Sequence, residues 1–314
     1  MRKSLRRLAV GLAGLVGVAV SGLAVLGALQ KPDLTLPAGA RGQHVTLSGT
    51  PIRYAQAGTG RDVLLVHGSP GSVEDWDPVF DRLAQRYRVT AFDRPGHGYS
   101  GGAALPHTPA ENARVAIELV RALGLQRVVF VGHSYGGATA LQLATTDPPE
   151  IAAFVLVGAR AYPPIHVDTI YRLVDVPLLG AGFAAVAARF TGPGRVESGL
   201  RASFGPNVDA LPSGLVSSRG ALWTRPTVVV SLAEERTTLE AALTASSPRY
   251  PTIRKPVSIL CGDQDHPNFE QAARLAREIP QARFTPLENT GHMVQYARPD
   301  ELIAAIDAAA AATN

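Results

Sequence analysis

The 314 residues are 46% hydrophobic, which supports one large domain with a full core and excludes a disordered chain. The formal charge is +4, and Arg2, Lys3, Arg6 and Arg7 supply it before any acidic residue, so the rest is balanced and offers no basic cluster for nucleic acid. Cys261 is the single cysteine, which excludes an internal disulfide and a thiolate zinc cluster.

The first element in chain order is the segment 8–29, uncharged, with one hydroxyl at Ser21. A helix of about 22 residues reaches about 33 Å, slightly more than a hydrocarbon core of about 30 Å. The basic residues precede it, so the positive-inside rule predicts a membrane anchor with the body on the extracytoplasmic side. A cleaved signal peptide, followed by secretion, is the alternative. It fits less well, because its apolar region usually runs about 7–15 residues and ends at a small-x-small site, whereas this segment ends Leu26-Gly27-Ala28.

After a linker at 31–43, short apolar runs predict strands at 44–47, 52–55, 63–66, 89–92, 128–131, 154–157, 257–261 and 283–287. From 63 to 261 these runs are largely β-branched or apolar, as for strands covered on both faces, while Pro286 suits the last to an edge. Helices are predicted at 76–85, 110–123, 136–144, 269–277 and 300–311. Such alternation predicts a doubly wound, mostly parallel α/β sheet. The rhythm breaks between 160 and 255. There the one strand-like run is Val228-Val229-Val230, among apolar helical stretches at 178–190 and 232–243. The reading is a helical cap at 160–255, inserted into a core made of 44–159 and 256–314.

Chemistry concentrates after the 128–131 run, where Gly132-His133-Ser134-Tyr135-Gly136 leads from a buried strand into a helix. This is the context of a nucleophile elbow: Gly132 and Gly136 permit a sharp turn that projects the Ser134 hydroxyl, and the Tyr135 N–H faces a developing oxyanion. A serine hydroxyl needs a base oriented by a carboxylate. In this architecture the acid follows the serine and the histidine comes last. Only His266 and His292 follow the cap, and His292, in Asn289-Thr290-Gly291-His292-Met293 after the last strand, is the candidate base; His266 reads as a solvated loop residue. Cys261, inside an apolar strand, reads as inert core.

With these motifs the chain resembles the α/β-hydrolase superfamily from about residue 44 to 312. His67-Gly68-Ser69-Pro70-Gly71 is similar to the family's loop after the third strand, which implies that the Ser69 N–H completes the oxyanion hole beside Tyr135. Asp93-Arg94-Pro95-Gly96-His97-Gly98-Tyr99-Ser100 resembles the following loop, where the chain order gives Asp93 and His97 a structural role. Gly262-Asp263-Gln264-Asp265 resembles the acid loop, whose fourth residue implies Asp265 as the triad acid. No carboxylate closely follows the 154–157 strand, where some relatives place theirs.

Ser134 stands where related epoxide hydrolases and haloalkane dehalogenases need an aspartate. The resemblance therefore implies a serine hydrolase that cleaves a carboxylic ester through an acyl-enzyme. Amide, lactone or carbon–carbon hydrolysis and cofactor-free perhydrolysis use related triads, and some relatives are non-catalytic ligand binders. No metal or organic cofactor is expected. The uncharged stretch 178–188, with Tyr171 and Trp223, predicts a small, largely apolar substrate held under the cap, unless these residues only pack the cap itself.

Overall fold

Eight strands occur where apolar runs predict them: β1 (Gln43–Leu47), β2 (Thr50–Ala57), β3 (Arg61–Val66), β4 (Tyr87–Phe92), β5 (Val128–His133), β6 (Ile151–Val157), β7 (Val257–Gly262) and β8 (Ala282–Leu287). They form one sheet in the order β1-β2-β4-β3-β5-β6-β7-β8 in a computed structural model that describes residue 15 and residues 17–313. β2 runs antiparallel to β1 and β4, and the six strands from β3 to β8 are mutually parallel. The loops after all six therefore leave from one edge, where open α/β sheets hold their ligands. β8, with Pro286, is an outer strand, as a residue without an N–H requires.

The central strands are apolar on both faces because helices cover both. Leu64, Val66, Phe130 and Phe154 pack on one face beneath helices Pro109–Ala122, Tyr135–Ala144 and Asn268–Glu278. Val63, Leu65, Val131 and Val155, their neighbours at odd spacing, pack on the other beneath Asp77–Ala84 and Pro299–Ala311.

Between β6 and β7 the chain forms helices Thr169–Val174, Gly180–Phe190, Gly192–Phe204, Leu215–Trp223 and Pro226–Ser246. The strand-like run Val228-Val229-Val230 is helical. Pro226 fits the first turn, where its missing N–H costs nothing, and the β-branched run continues into a long helix that buries Val228, Leu232 and Leu239. The uncharged stretch 178–188 is divided: Leu178 is 89% exposed, whereas Ala184 is fully buried in the cap's own small core.

Of the segment 8–29, expected to span a membrane, residues 8–14 and 16 lie outside the described residues. Residues 17–28 are helical, and among the described residues no helix is long and apolar enough to cross a membrane. This helix lies against the cap: a Cβ on Gly27 would come within 2.9 Å of Ala181 Cβ and the Gly182 backbone nitrogen.

Candidate active site

β5 ends at His133, and the chain turns sharply into helix Tyr135–Ala144 through Ser134, whose φ of 53° and ψ of −111° lie in a region that side chains rarely adopt. The turn closes because its neighbours lack side chains. A Cβ at Gly132 would collide with the Gly136 carbonyl, and one at Gly136 with the Val66 carbonyl on β3. Backbone bonds fix the turn further: the Ser134 N–H donates to Val157 O at 2.9 Å, and Arg160 N–H donates to Ser134 O at 3.2 Å.

His292 and Asp265 arrive from the loops after β8 and β7. His292 Nδ1 lies 2.7 Å from Asp265 Oδ2, and Asn268 Nδ2 donates to Asp265 Oδ1 at 2.9 Å. Burial pushes the Asp265 carboxyl up, but the charge of His292 and the bonds from His292 and Asn268 outweigh it and hold it below its ordinary value. Asp263 points elsewhere, accepting the Thr290 N–H at 3.2 Å and so bracing the loop that carries His292. His266 is exposed and meets Glu270 at 2.6 Å, as a loop residue should. Cys261 is buried, with Sγ 3.7 Å from Asp265 Oδ2, and burial and that carboxylate push its thiol well up, which keeps it protonated.

Ser134, His292 and Ser69 line one cavity of about 240 Å³. Tyr135 is the first residue of its helix, so its N–H has no intrahelical acceptor. The Ser69 loop is held from behind. Arg94 donates through Nη2 to Gly68 O at 2.7 Å and through Nε to His67 O at 3.2 Å, while its backbone N–H donates to His67 Nε2 at 2.9 Å. Arg94 in turn pairs with Glu235 of the cap, both fully buried, and His97 Nε2 lies 3.1 Å from the same carboxylate. Asp93 accepts from the Val73 and Tyr99 N–H groups at 2.7 and 2.8 Å and holds its own loop, the structural use expected of it.

Three features carry no motif of their own. Gly158, at the end of β6 with φ of +50°, lies where a Cβ would sit 2.9 Å from Asp265 Oδ2 and 3.0 Å from His292 Nδ1. Its signal was the missing carboxylate after β6: the position is filled by the absence of a side chain. His133, beside Ser134, packs its ring at a tilt of 42° against His292 with centroids 4.6 Å apart, and burial and the charge of His292 push it down to about 3, so it stays neutral. The cap also grips the histidine loop: Ser203 O accepts the His292 N–H at 2.8 Å, and Asn207 bonds both Asn289 O and the Gly291 N–H at 2.9 Å. Nothing in the sequence around Asn207 marks it for this role. The rest of the cavity wall includes Tyr171, Ala187, Ala188 and Trp223, so part of the apolar cap faces the site. Among the described residues no cluster of His, Cys, Asp and Glu could hold a metal ion.

A family model described as "Alpha/beta hydrolase family" matches residues 63–305. A non-heme haloperoxidase of Rhodococcus erythropolis is 43% identical over 123 residues, which are 38% of this chain and 44% of that protein, so the match spans less than half the length of that relative. An uncharacterized protein of Mycobacterium tuberculosis is 28% identical over 274 residues, covering 83% of this chain and 78% of the relative. Among solved structures, an alpha/beta hydrolase fold protein from Burkholderia ambifaria superposes with a TM-score of 0.71 at 23% identity, over 86% of this chain and 97% of that one. With the eight-stranded sheet and a model match over most of the chain, the protein belongs to the alpha/beta hydrolase family of hydrolytic enzymes.

Proposed function

We propose that the protein is a serine hydrolase that cleaves the carboxylic ester of a small, largely apolar substrate through an acyl-enzyme at Ser134. The observation that supports it best is the 2.7 Å bond between His292 and Asp265 beside a serine held on a strained turn in the same cavity. In this reading His292 takes the Ser134 proton as Oγ attacks the ester carbonyl carbon. The Ser69 and Tyr135 N–H groups receive the carbonyl oxygen as it becomes an oxyanion. Collapse of that intermediate expels the alcohol, which receives the proton from His292, and water then repeats the sequence to release the acid. Asp265 keeps the proton of the imidazole on Nδ1, leaving Nε2 free to accept.

Lactone or carbon–carbon hydrolysis and perhydrolysis would run through the same acyl-enzyme, and a ligand-binding role without turnover would not. A fluorophosphonate probe separates the two groups. Labelling of the wild type and none of Ser134→Ala is expected; a folded, unreactive wild-type protein would make it a binder. Release of p-nitrophenol from p-nitrophenyl acetate at a rate that Ser134→Ala abolishes is the corresponding test of ester cleavage.

We further propose that residues 8–29 anchor the body to a membrane on its extracytoplasmic side. The uncharged run behind four basic residues supports this, as does the exposure of the apolar side chains Leu15, Val18, Val25 and Leu29 in the described part of the segment. Full-length protein should stay with membranes after a carbonate wash; mature protein beginning near Gln30 would indicate a cleaved signal peptide instead.

A further inference from the structure

Three charged side chains on the cavity wall decide what else it can bind. Asp75 is neutralised by Arg219, 3.0 Å away, and Arg195 by Asp168, 2.5 Å away. Arg236, on the long cap helix Pro226–Ser246, is different. Among the described residues, its one hydrogen bond runs from Nη2 to the Ser69 carbonyl at 3.2 Å, its Nε is buried with no partner, and no carboxylate lies within ion-pair distance. Its charged surroundings include another cation, Arg160, which follows β6 and is also without an ion pair among the described residues. Burial and the charge of Arg236 both push the Arg160 guanidinium down, while the charge of Asp265 opposes them. An arginine has five N–H groups in a planar fork, and among the described residues at least Nε–H and the Nη1 pair of Arg236 have no acceptor. A half-buried guanidinium on a cavity wall with unused N–H groups and no carboxylate partner among the described residues is suited to an anion.

We infer that Arg236 is a carboxylate-binding subsite, so that the substrate is an ester carrying a free carboxylate at the end of its acyl part. The inference rests on the ester reading of the same cavity and narrows it. The apolar wall of Ala187, Ala188 and Trp223 would hold the methylene chain, and Arg236 its charged end. Because Arg236 also touches Ser69, whose N–H is assigned to the oxyanion, it could instead act by shaping that loop. Substrate charge separates the two roles: a role in loop shape affects charged and neutral esters alike, and a carboxylate subsite affects only their ratio.

The test uses p-nitrophenyl hydrogen adipate and p-nitrophenyl 6-methylheptanoate, in which an isopropyl group replaces the carboxylate. Binding to the full-length Ser134→Ala protein is measured by titration calorimetry at pH 7.5, so that no turnover is needed. The adipate ester should bind at least about tenfold tighter, the effect of one charge-assisted hydrogen bond. Arg236→Gln, which keeps a donor for the Ser69 carbonyl but removes the charge, should bring the ratio to about one, and Arg236→Lys should restore part of it. Equal binding of both esters to the Ser134→Ala protein would overturn the proposal, as would an equal loss for both esters on Arg236→Gln. In wild-type kinetics the same preference should appear in KM more than in kcat. If the wild type hydrolyses neither ester while the binding preference holds, ester cleavage fails and the carboxylate subsite stands.

Discussion

Asp265→Asn exchanges a single carboxylate oxygen for an amide nitrogen, and the neighbours of that atom set the size of the effect. Asn268 donates its amide N–H to Asp265 Oδ1 at 2.9 Å, so an asparagine at 265 keeps its oxygen on that side to accept the same bond. Its NH2 group then faces His292 Nδ1, which now meets a donor at the 2.7 Å position where a carboxylate oxygen accepts. The imidazole responds by moving its proton to Nε2, the nitrogen that must be empty to take the Ser134 proton. In a serine protease the corresponding change lowers turnover about 10⁴-fold, which corresponds to about 5.4 kcal/mol of barrier. A similar loss is expected here, in kcat for p-nitrophenyl acetate. Asp263→Asn is the control, because its oxygen still accepts the Thr290 N–H, and kcat should fall less than about threefold. Thermal melts of both variants check that they fold. Equal losses, or a larger loss at Asp263, would refute the tautomer argument and transfer the acid role.

Gly158→Ala places a methyl group about 3 Å from both Asp265 Oδ2 and His292 Nδ1 at a positive φ, so activity should fall at least about tenfold and stability by about 1 kcal/mol; wild-type turnover would remove Gly158 from the site. Glu235→Gln leaves Arg94 buried without its counter-charge and should cost about 3 kcal/mol, read as a lower midpoint in urea. Burial pushes the Glu235 carboxyl up, but Arg94 and His97 outweigh it and hold it well below its ordinary value. Stability from this pair is therefore complete above the ordinary carboxylate range and is lost as pH falls through the lower folded value; Glu235→Gln should lack that acid component, and parallel pH curves would count against it. Among neutral p-nitrophenyl esters, kcat/KM should rise from acetate to medium-length chains by up to about fourfold per buried methylene, and a flat series would leave the cap's apolar face as packing alone.

What was legible in the sequence was what local chemistry dictates. The strands from 63 to 261 could be found because burial on both faces demands continuous apolar runs, and β8 could be placed at the outside because Pro286 cannot complete a central ladder. Ser134 was legible because its turn tolerates only small neighbours, and those glycines sit at fixed offsets from it. Asp265 needed a resemblance. Asp263 and Asp265 are two residues apart, and only the fold shows that one meets His292 while the other braces Thr290. The run Val228-Val229-Val230 looked like a strand because three β-branched residues carry that propensity, which the helix starting at Pro226 overrides.

The joints between cap and core were not legible, since each pairs residues far apart in sequence with no fixed spacing. Glu235 reaches Arg94 across 141 positions, and Asn207 reaches Gly291 across 84. Their placement nevertheless has a common logic. One joint holds, through Arg94, the carbonyls of His67 and Gly68 beside the proposed oxyanion residue Ser69; the other holds both sides of the loop that carries His292. A cap that only covered the substrate would need neither, because apolar packing of Tyr135 and Ala138 against Leu239 and Leu243 already seats it on the core. Bonds of this kind are directional and are lost when the two bodies separate by more than a fraction of an ångström. Displacement of the cap would thus release the histidine loop and the oxyanion loop together, so that cap position sets whether the site is assembled as well as what enters it.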